Sequence, residues 1–519
     1  MAPLPARIPQ IPVGILSLGS GRNINLALAT ISDLDAQVPV REGEYGSRVA
    51  AIEPGGIEFI PERERHGGPL QLLWTWMSPN MEFATVYVGV IPMAVFGGGF
   101  WPTVMGVTLG SLMGAIMQAV LSTMGPRFGV PQMVESRAAF GYVGNFLPAG
   151  LSWITASFGW FIVNSVSGAF ALVILSAILN NHRATLSFTV AFTVIVIVQV
   201  LVAFIGHNMI HQFERVIFPY LGVVFALATL IVLVQAHPGV AFNPNAPLPS
   251  GGPSAAFILA VFIAFGYAIG WNPFASDYSR YLPTKTEPVK VALAAGLGIF
   301  ISCAVLEIAG AAIATFSPAG SNPTEQFTNP LPFIIQVLVL LGIALGAVAS
   351  NVLNIYSGAM AFLTLGIKLG VEKRRAISAF VFGAIGLVIG LLYQANVGTS
   401  SKYESFLLLV TYWITPWLAV VITDFVLHRG NYPKPVFYDT GWANWKGFVA
   451  MLAGIIATTP FWDQPPTFFT LPSWFGSVPT NNPQLGDLSF FAGAIVAAVV
   501  YLVLYLIGRP ASTTSQARS

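Results

Sequence analysis

The chain has 519 residues, of which 55% are hydrophobic and only 8% charged, and its mean hydropathy is +0.73. A soluble domain carries about 25% charged residues, so this composition excludes a large soluble protein and predicts an all-α polytopic membrane protein. The formal net charge of +2 says little about partners, and no nucleic-acid partner is expected.

The first part of the chain, residues 1–70, is polar and rich in charge, Gly and Pro, which predicts a cytoplasmic N-terminal tail. Within it, residues 58–68 alternate in charge sign. The simplest interpretation of this stretch is a solvated segment beside the membrane. The alternative is a cytoplasmic gate that docks through salt bridges.

Twelve apolar segments of about 18–30 residues follow, each long enough to cross a bilayer. Spans 1–10 predict a transporter core over residues 71–430. Residues 431–508 add a cytoplasmic loop and spans 11 and 12, and residues 509–519 form a cytoplasmic C-terminal tail. The approximate centres of the spans are Tyr87, Met113, Phe161, Ile195, Phe225, Ile263, Ala304, Ala344, Phe380, Thr411, Met451 and Val499.

Basic residues segregate to one side of this arrangement. With twelve spans both tails share one side, and that side carries 21 of the 23 Lys and Arg residues. Only Arg183 and Lys402 fall in the opposite loops. Because Lys and Arg accumulate in cytoplasmic loops, we expect a multi-pass protein of the plasma (cytoplasmic) membrane with both termini in the cytoplasm.

Two apolar spans are interrupted by proline. Ser78–Asn80 (Ser-Pro-Asn) breaks the first span, and residues 270–273 (Gly-Trp-Asn-Pro) break the sixth. Proline removes a backbone donor, and in lipid the freed backbone groups must be satisfied, so such breaks are tolerated where the backbone lines a cavity. Asn80 offers a donor and an acceptor at the first break. The alternative is that the Pro and Asn residues merely kink packed helices.

The positions of the breaks also predict a repeat. Spans 1–5 and 6–10 can be overlaid so that each break falls in the first helix of its half. Because each half has an odd number of spans, the second half is inverted relative to the first. Paired breaks in an inverted repeat point to the substrate site of a transporter.

The third span carries Trp160 and Asn164, four residues apart and therefore on one helix face. An indole beside a primary amide suits a flat heteroaromatic ligand, which stacks on the ring and is read at its edge by the amide. Trp271, in the second break, supplies another plane. The alternative is that both residues are packed core tryptophans.

The eighth span contains a polar patch, Ser350, Asn351 and Asn354, in an otherwise apolar stretch. Asn351 and Asn354 are three residues apart and so are neighbours on one face. The functional interpretation is contact with a ligand or a cation. The alternative is hydrogen bonding between packed helices.

Acidic residues inside the spans are candidate functional groups because they are rare there. Glu82, just after the first break, and Glu307, in the seventh span, could each carry a coupled proton. Asp277, near the end of the sixth span, is a gate candidate, as is Glu307. Glu214 and Arg215, just before the fifth span, are interpreted as a cytoplasmic ion pair.

No motif predicts an enzyme. The six His residues show no metal-ligand spacing with acids or cysteine, and no phosphate-binding Gly-Lys motif is present, so neither a metal, a cofactor nor ATP is expected. Coupling to an ion gradient is the remaining energy source.

Several motifs together resemble the purine–cytosine permeases of the nucleobase:cation symporter-1 family. The resemblance covers roughly residues 57–430, and its most specific part spans residues 125–141. The motifs are Gly125-Pro126-Arg127-Phe128-Gly129 with Gln132-Met133, Ser136-Arg137 and Phe140-Gly141; Ser78 with Asn80-Met81; Gly159-Trp160 with Asn164; Trp271 with Asp277-Tyr278; and Asn351 with Asn354-Ile355-Tyr356-Ser357.

The resemblance implies a LeuT-like fold, a five-plus-five inverted repeat with two peripheral C-terminal helices. It implies symport of a nucleobase with H⁺ or Na⁺. Trp160 and Trp271 would sandwich the ring, and Asn164 and Asn351 would hydrogen-bond it. The resemblance places Ser78 and Asn354 nearby, and Asn80 joins the candidate substrate-binding residues through its position in the first break.

The sequence also departs from that pattern. Ser350 and Leu353 stand where such permeases often have Asn and Pro, and Glu82 stands where an apolar residue is expected. These changes weaken an assignment to cytosine itself and leave open another heterocycle, such as allantoin, hydantoin, thiamine or a pyridoxine-like compound. A receptor without transport is a further alternative. For the ion, Ser350 offers a hydroxyl to a sodium site, and Glu82 offers a proton carrier.

Overall fold

The structure, a computed structural model, describes residues 39–41, 44–183, 185–248, 250–317, 323–367, 384, 387–388, 391, 400–463 and 471–508. The regular secondary structure of these residues is helical, and their strand-like pairing is limited to a bridge between Val40 and Phe59. This confirms the predicted all-α class. The ends of both predicted tails lie outside the described residues.

The helices that position the site are numbered here in chain order. They are α1 (Gln71–Met77), α2 (Phe83–Ala94), α3 (Phe100–Ser122), α4 (Phe146–Ile154), α5 (Phe161–Leu179), α6 (Phe188–Ile205), α7 (His207–Gln235), α8 (Pro253–Ile269), α9 (Ala275–Ser279), α10 (Pro288–Ile313), α11 (Phe333–Thr364), α12 (Ser400–Leu427), α13 (Trp445–Thr458) and α14 (Ser489–Ile507).

Nine helices of the described residues are long and apolar enough to cross a bilayer. Two shorter apolar helices, Phe83–Ala94 and Trp445–Phe461, match the predicted first and eleventh spans. The ninth predicted span, centred on Phe380, lies outside the described residues except for residues 384, 387–388 and 391. A multi-pass membrane protein is therefore confirmed, whereas the number twelve stays a prediction.

Both proline-containing segments interrupt their helices, but to different degrees. After α1, a 3₁₀ turn at Ser78–Asn80 leads to Glu82, which is fully extended (φ −149°, ψ 176°) before α2 begins. Between α8 and α9 the chain makes a 3₁₀ turn at Asn272–Phe274, and Trp271 keeps near-helical angles (φ −83°, ψ −17°). The first break is thus a real gap and the second a tightened turn.

Glycines allow the helices around the breaks to pack backbone to backbone. A Cβ atom on Gly110 of α3 would lie 2.2 Å from the Val261 carbonyl oxygen of α8. One on Gly89 of α2 would lie 1.7 Å from the Glu307 carbonyl oxygen of α10. Close approach through small residues is typical of helix association in membranes. It fixes α2, α3, α8 and α10 as one bundle, with α5, α6, α7 and α11 packed beside it.

Candidate functional site

The two breaks are joined directly. The Trp271 indole Nε1 donates a hydrogen bond of 2.9 Å to Asn80 Oδ1, and Asn80 Nδ2 donates to the Trp76 carbonyl at 2.7 Å. The Trp76 ring meets the Trp271 ring edge to face, with centroids 5.9 Å apart. The side chain that sequence reasoning placed in the first break therefore fixes the indole of the second.

A second network, formed by amide side chains, lies between α5 and α11. Asn164 Nδ2 donates to Ser350 Oγ at 2.7 Å and to Asn351 Oδ1 at 3.1 Å. Asn354 Nδ2 reaches the same Asn351 oxygen at 3.3 Å. All four side chains are at most 2% exposed. The structure thus brings together the predicted residues of the third and eighth spans.

Asn351 is held on its other side by residues that the sequence did not single out. Its Nδ2 lies 3.0 Å from Gln199 Oε1, 3.0 Å from Ser165 Oγ and 3.0 Å from the Phe161 carbonyl. Gln199 in turn donates to Ser165 Oγ at 2.9 Å. Both hydrogens of the Asn351 amide are therefore engaged with protein acceptors, and its oxygen already accepts two bonds.

Several buried polar atoms of the described residues have no hydrogen-bond partner, and three of these atoms belong to predicted substrate-binding residues. They are Asn164 Oδ1, Asn354 Oδ1 and Trp160 Nε1. A buried polar group without a partner costs about 1–3 kcal/mol, so such atoms point to an interaction that completes them. Two acceptors and one donor are the groups that the N–H and carbonyl edges of a flat heterocycle require.

Trp160 ends a π-helical turn, Thr155–Trp160, inserted between α4 and α5. Such turns are rare and occur frequently at functional sites. The indole packs over Gly270, because a Cβ atom there would lie 2.8 Å from the Trp160 ring. Its edge-to-face neighbours are Tyr267 and Phe406, with centroids 5.5 and 4.9 Å away. The Trp160 ring therefore packs against the second break, which contains Trp271.

Glu82 lies where the gap after α1 meets α8. Its Oε1 accepts a hydrogen bond of 3.3 Å from the Tyr267 hydroxyl, which also lies 2.6 Å from Thr85 Oγ1. The backbone amide of Ala84, in the first turn of α2, also faces this carboxyl. Since Tyr267 also packs on Trp160, one tyrosine links this carboxylate to the wall of the candidate site.

Ser78 contacts α7 rather than the amide network. Its hydroxyl donates to the Trp74 carbonyl at 2.9 Å and lies 3.3 Å from the Glu214 carbonyl. Glu214 is completely buried, whereas Arg215 is exposed. The predicted ion pair between these two residues is therefore wrong, because consecutive residues point to different sides of a helix.

The two gate candidates lie in different places. Asp277 Oδ1, at the α9 end of the bundle, accepts a hydrogen bond of 2.9 Å from the Gln132 backbone amide. Glu307 lies deep in the bundle, where its Oε2 accepts from Ser111 of α3. The structure thus places only Asp277 near an end of the bundle, and a gate role for either residue stays a prediction.

The N-terminal segment (residues 44–66) docks on that same end. Glu53 is 1% exposed, forms a 3.2 Å ion pair with Arg280 and accepts a 3.1 Å hydrogen bond from the Tyr356 hydroxyl of α11. Glu64 pairs with Arg41 at 2.8 Å, with both side chains buried. The interpretation of residues 58–68 as fully solvated is therefore wrong for Glu64 and for Arg65, which is 9% exposed.

Electrostatics favour this docking. Burial disfavours the Arg280 cation and by itself would lower its pKa. Four neighbouring groups have the opposite and larger effect, so the pKa of Arg280 is raised above its ordinary value. They are Tyr356, Tyr281, Glu53 and Asp277. The guanidinium also donates to the Gly56 carbonyl at 2.8 Å. Arg280 thus stays charged while buried and ties the segment to the bundle.

The described residues hold no cluster of three or more His, Cys, Asp or Glu side chains suited to a metal ion. The polar groups that sequence reasoning missed are Gln199 and Tyr267, and it assigned Glu214 to an ion pair that the structure does not contain. Gln199 and Tyr267 are single polar residues in strongly apolar spans, and that isolation is the signal that could have found them. For Glu214 the signal was an acid at the start of a span.

Comparison with known proteins places the chain in a family. Residues 59–493 match the family model described as "Permease for cytosine/purines, uracil, thiamine, allantoin". The chain belongs to this family of permeases. It is therefore a transporter rather than an enzyme, as the sequence predicted.

Curated relatives of the permease match over most of their length. The putative purine-cytosine permease YxlA of Bacillus subtilis (strain 168) is 30% identical, over 87% of this chain and 96% of its own. The purine-cytosine permease fcyB of Emericella nidulans is 27% identical, over 91% of this chain and 93% of its own. The predicted resemblance is confirmed.

Solved structures agree on the fold. Mhp1, a nucleobase-cation-symport-1 family transporter with bromovinylhydantoin bound in a closed conformation, superposes on the permease with a TM-score of 0.67. The two chains are 18% identical, and the match covers 88% of this chain and 95% of Mhp1. MhsT, in complex with L-phenylalanine, gives a TM-score of 0.54 at 15% identity, over 85% of this chain and 99% of its own. These likenesses confirm the LeuT-like fold.

Proposed function

We propose that the permease is a secondary active symporter that imports a nucleobase of the cytosine/purine class together with a proton. The observation that carries this proposal is the set of incomplete polar atoms on Asn164, Asn354 and Trp160, next to the two broken helices. In this proposal the base stacks against Trp160 and Trp271, and its edge bonds to Asn164 and Asn354. Asn351 positions those two amides, and Ser78 and Asn80 support the first break.

The assignment to a nucleobase draws on chemistry and on relatives. An indole stacked on a base contributes about 1–3 kcal/mol, and two amide oxygens accept bonds from ring N–H or amino groups. The two relatives described above are named purine-cytosine permeases. The family description also includes uracil, thiamine and allantoin, and the Saccharomyces cerevisiae relative TPN1, 24% identical, is named a vitamin B6 transporter. Those heterocycles are the alternative cargo.

In this proposal the coupling ion is a proton, and Glu82 carries it. A completely buried carboxyl that is linked through Tyr267 to Trp160 can hold a proton beside the cargo. Sodium is the second candidate, because the Met81 carbonyl lies against Gly346, one helical turn from the Ser350 hydroxyl on α11. The proton is preferred because Ser350 Oγ already accepts a bond from Asn164.

The proposal includes the topology that the sequence predicted. Twelve helices in a five-plus-five inverted repeat and two peripheral helices would alternate access around the breaks. The protein would lie in the plasma membrane with both termini in the cytoplasm. The N-terminal segment and Arg280 would then mark the cytoplasmic end, closed by the Glu53–Arg280 pair with Asp277 beside it. Glu307 would stabilise the bundle against α3.

Uptake into proteoliposomes tests this function. Radiolabelled cytosine, adenine and hypoxanthine are presented with an imposed H⁺ gradient, an imposed Na⁺ gradient or neither. We expect accumulation of at least one base that requires the H⁺ gradient and collapses with a protonophore. Competition by allantoin, hydantoin, thiamine or pyridoxine, with no effect of the bases, would assign the cargo to the alternatives. Saturable binding without gradient-dependent accumulation would indicate a receptor.

A further inference from the structure

Three ionisable side chains on α7 stand outside the candidate substrate site. His207, His211 and Glu214 are spaced four and three residues apart, so they share one face of the helix. His207 is 1% exposed and Glu214 is completely buried. Chains of acidic and imidazole groups inside membrane proteins mark proton routes.

The two histidines act as a unit. Their Nε2 atoms lie 3.1 Å apart, so one must donate and the other accept, and the pair shares one hydrogen. If both rings were doubly protonated, two N–H groups and two positive charges would face each other. The pair therefore accepts one extra proton and then releases it, with titration that belongs to the pair.

Hydroxyl groups connect this face of α7 to the first break. Thr75 Oγ1 of α1 lies 2.7 Å from His211 Nδ1. Ser78, three residues further along, lies against Glu214 through its hydroxyl. Neither carboxylate oxygen of Glu214 meets a donor at hydrogen-bond geometry among the described residues. Glu214 and Glu82 thus lie at the two ends of the first break.

The other end of this face is covered by the N-terminal segment. His66 Nε2 lies 2.9 Å from Asn208 Oδ1, which lies 3.3 Å from His207 Nδ1. Glu53 accepts a 3.1 Å hydrogen bond from the His207 backbone amide while it pairs with Arg280. Docking of the segment therefore separates His207 from bulk water.

The remaining groups that face the pair are two tyrosines. The ring of Tyr281 lies 3.9 Å from that of His207, and the ring of Tyr278 lies 6.1 Å from that of His211. Tyr278 also faces Glu214. The titratable or charged groups of the described residues that face the pair are thus Glu53, Arg280 and His66, whose ring lies 6.3 Å from that of His207, and Glu214 follows one turn further along the same face of α7.

We propose that Glu214 and the His207–His211 pair form the exit route by which the co-transported proton reaches the cytoplasm, with the N-terminal segment as its cover. This inference rests on the proton-coupled symport proposed above. In this route Glu214 takes the co-transported proton that Glu82 releases at the other end of the first break, gives it to the pair, and is left as the carboxylate that accepts the next proton. The pair becomes a single cation and returns to neutrality when the segment lifts and cytoplasmic water takes the proton.

The test uses the full-length chain in proteoliposomes that contain a pH-sensitive dye, with radiolabelled cytosine, adenine and hypoxanthine as probes. Glu214→Gln and His211→Gln are expected to lower gradient-driven accumulation, and base-induced proton entry, about tenfold or more. Counterflow of base at equal pH, which needs no net proton release, stays within about threefold of wild type. His182→Gln, on an exposed loop, serves as the matched control and behaves like wild type.

Other outcomes overturn the proposal. Equal loss of counterflow and accumulation in both variants would show a structural role, and His207→Gln decides the matter if Glu214→Gln yields no folded protein. If the wild type performs counterflow but a base gradient alone drives no proton entry, proton coupling is rejected and base transport is kept. No counterflow of any base would reject the proposed function itself. Glu53→Gln is expected to raise proton entry in the absence of base, and no such leak would reject the segment as the cover.

Discussion

The two helix breaks do different work although each contains Pro and Asn. The first leaves Glu82 fully extended and opens the chain between α1 and α2, whereas at the second Trp271 and Ala275 keep near-helical angles and Phe274 between them departs (φ −119°, ψ 2°). The gap places a carboxyl beside the candidate site, and the turn places an aromatic ring there. Proline alone therefore does not specify a discontinuous helix, because the neighbouring packing decides how far the backbone opens.

The largest effect is expected where the gap is packed against α11. A Cβ atom on Gly346 would lie 2.3 Å from the Met81 carbonyl oxygen. The substitution Gly346→Val must therefore displace the backbone between α1 and α2. We expect destabilisation of about 1–3 kcal/mol and uptake at background level. Thermal unfolding and cytosine uptake measure both. Gly222→Val, where no atom lies within 4 Å, is the control, and equal effects of the two variants would contradict the prediction.

Removal of the Trp160 ring should come next. Trp160→Ala deletes the plane that packs over the second break, and base binding is expected to weaken by about 1–3 kcal/mol if the ring stacks on the cargo. Trp160→Phe should recover part of that loss. Equilibrium binding of radiolabelled base measures it, with the exposed Trp101→Ala as the control. Unchanged affinity would return Trp160 to a core-packing role.

A substitution of Glu82, in the gap between α1 and α2, should affect proton coupling without affecting binding of the base. Glu82→Gln keeps the shape of the side chain but cannot carry a proton. Wild-type uptake is expected to rise as the outside pH falls, and uptake by the variant should lose this dependence, with accumulation about tenfold lower. Glu307→Gln serves as the comparison. If Glu307→Gln loses the pH dependence and Glu82→Gln keeps it, the proton assignment moves to Glu307.

Loss of the hydrogen bond between the two breaks should have a smaller effect. Trp271→Phe keeps a ring but removes the donor to Asn80, which should cost about 0.5–1.5 kcal/mol in stability or in base binding. A double-mutant cycle with Asn80→Ala isolates the pair. Additive effects of the two substitutions would show that the hydrogen bond does not couple the breaks.

The smallest effect is expected at the second turn. Pro273 sits early in a 3₁₀ turn whose neighbours already have near-helical angles. Pro273→Ala should therefore change uptake by no more than about twofold, because the backbone has little to gain by straightening. A loss of uptake as large as that of Gly346→Val would show that the second break, too, must be held open by proline.

Much of the architecture could be predicted from the sequence, because composition and span length are dominated by the bilayer. The polar residues inside apolar spans marked Trp160, Asn164 and Asn351, and the structure brings the latter two together. The unequal opening of the breaks could not be predicted, because it depends on packing against α8 and α11. The docked N-terminal segment depends on Glu53 and Arg280, which are 227 residues apart and carry no local signal.

The orientation of the Asn351 amide determines which atoms of Asn164 and Asn354 remain without a hydrogen-bond partner. Gln199 and Ser165 accept hydrogen bonds from its Nδ2, so its oxygen turns toward Asn164 and Asn354 and accepts a hydrogen bond from the Nδ2 of each. Both neighbours are left with their carbonyl oxygens bare. Gln199 on α6, which the proposed site does not include, thereby sets which atoms of Asn164 and Asn354 are free to bond a ligand. Selectivity among heterocycles in such a carrier could evolve by inverting this one anchor while every residue that touches the cargo stays the same.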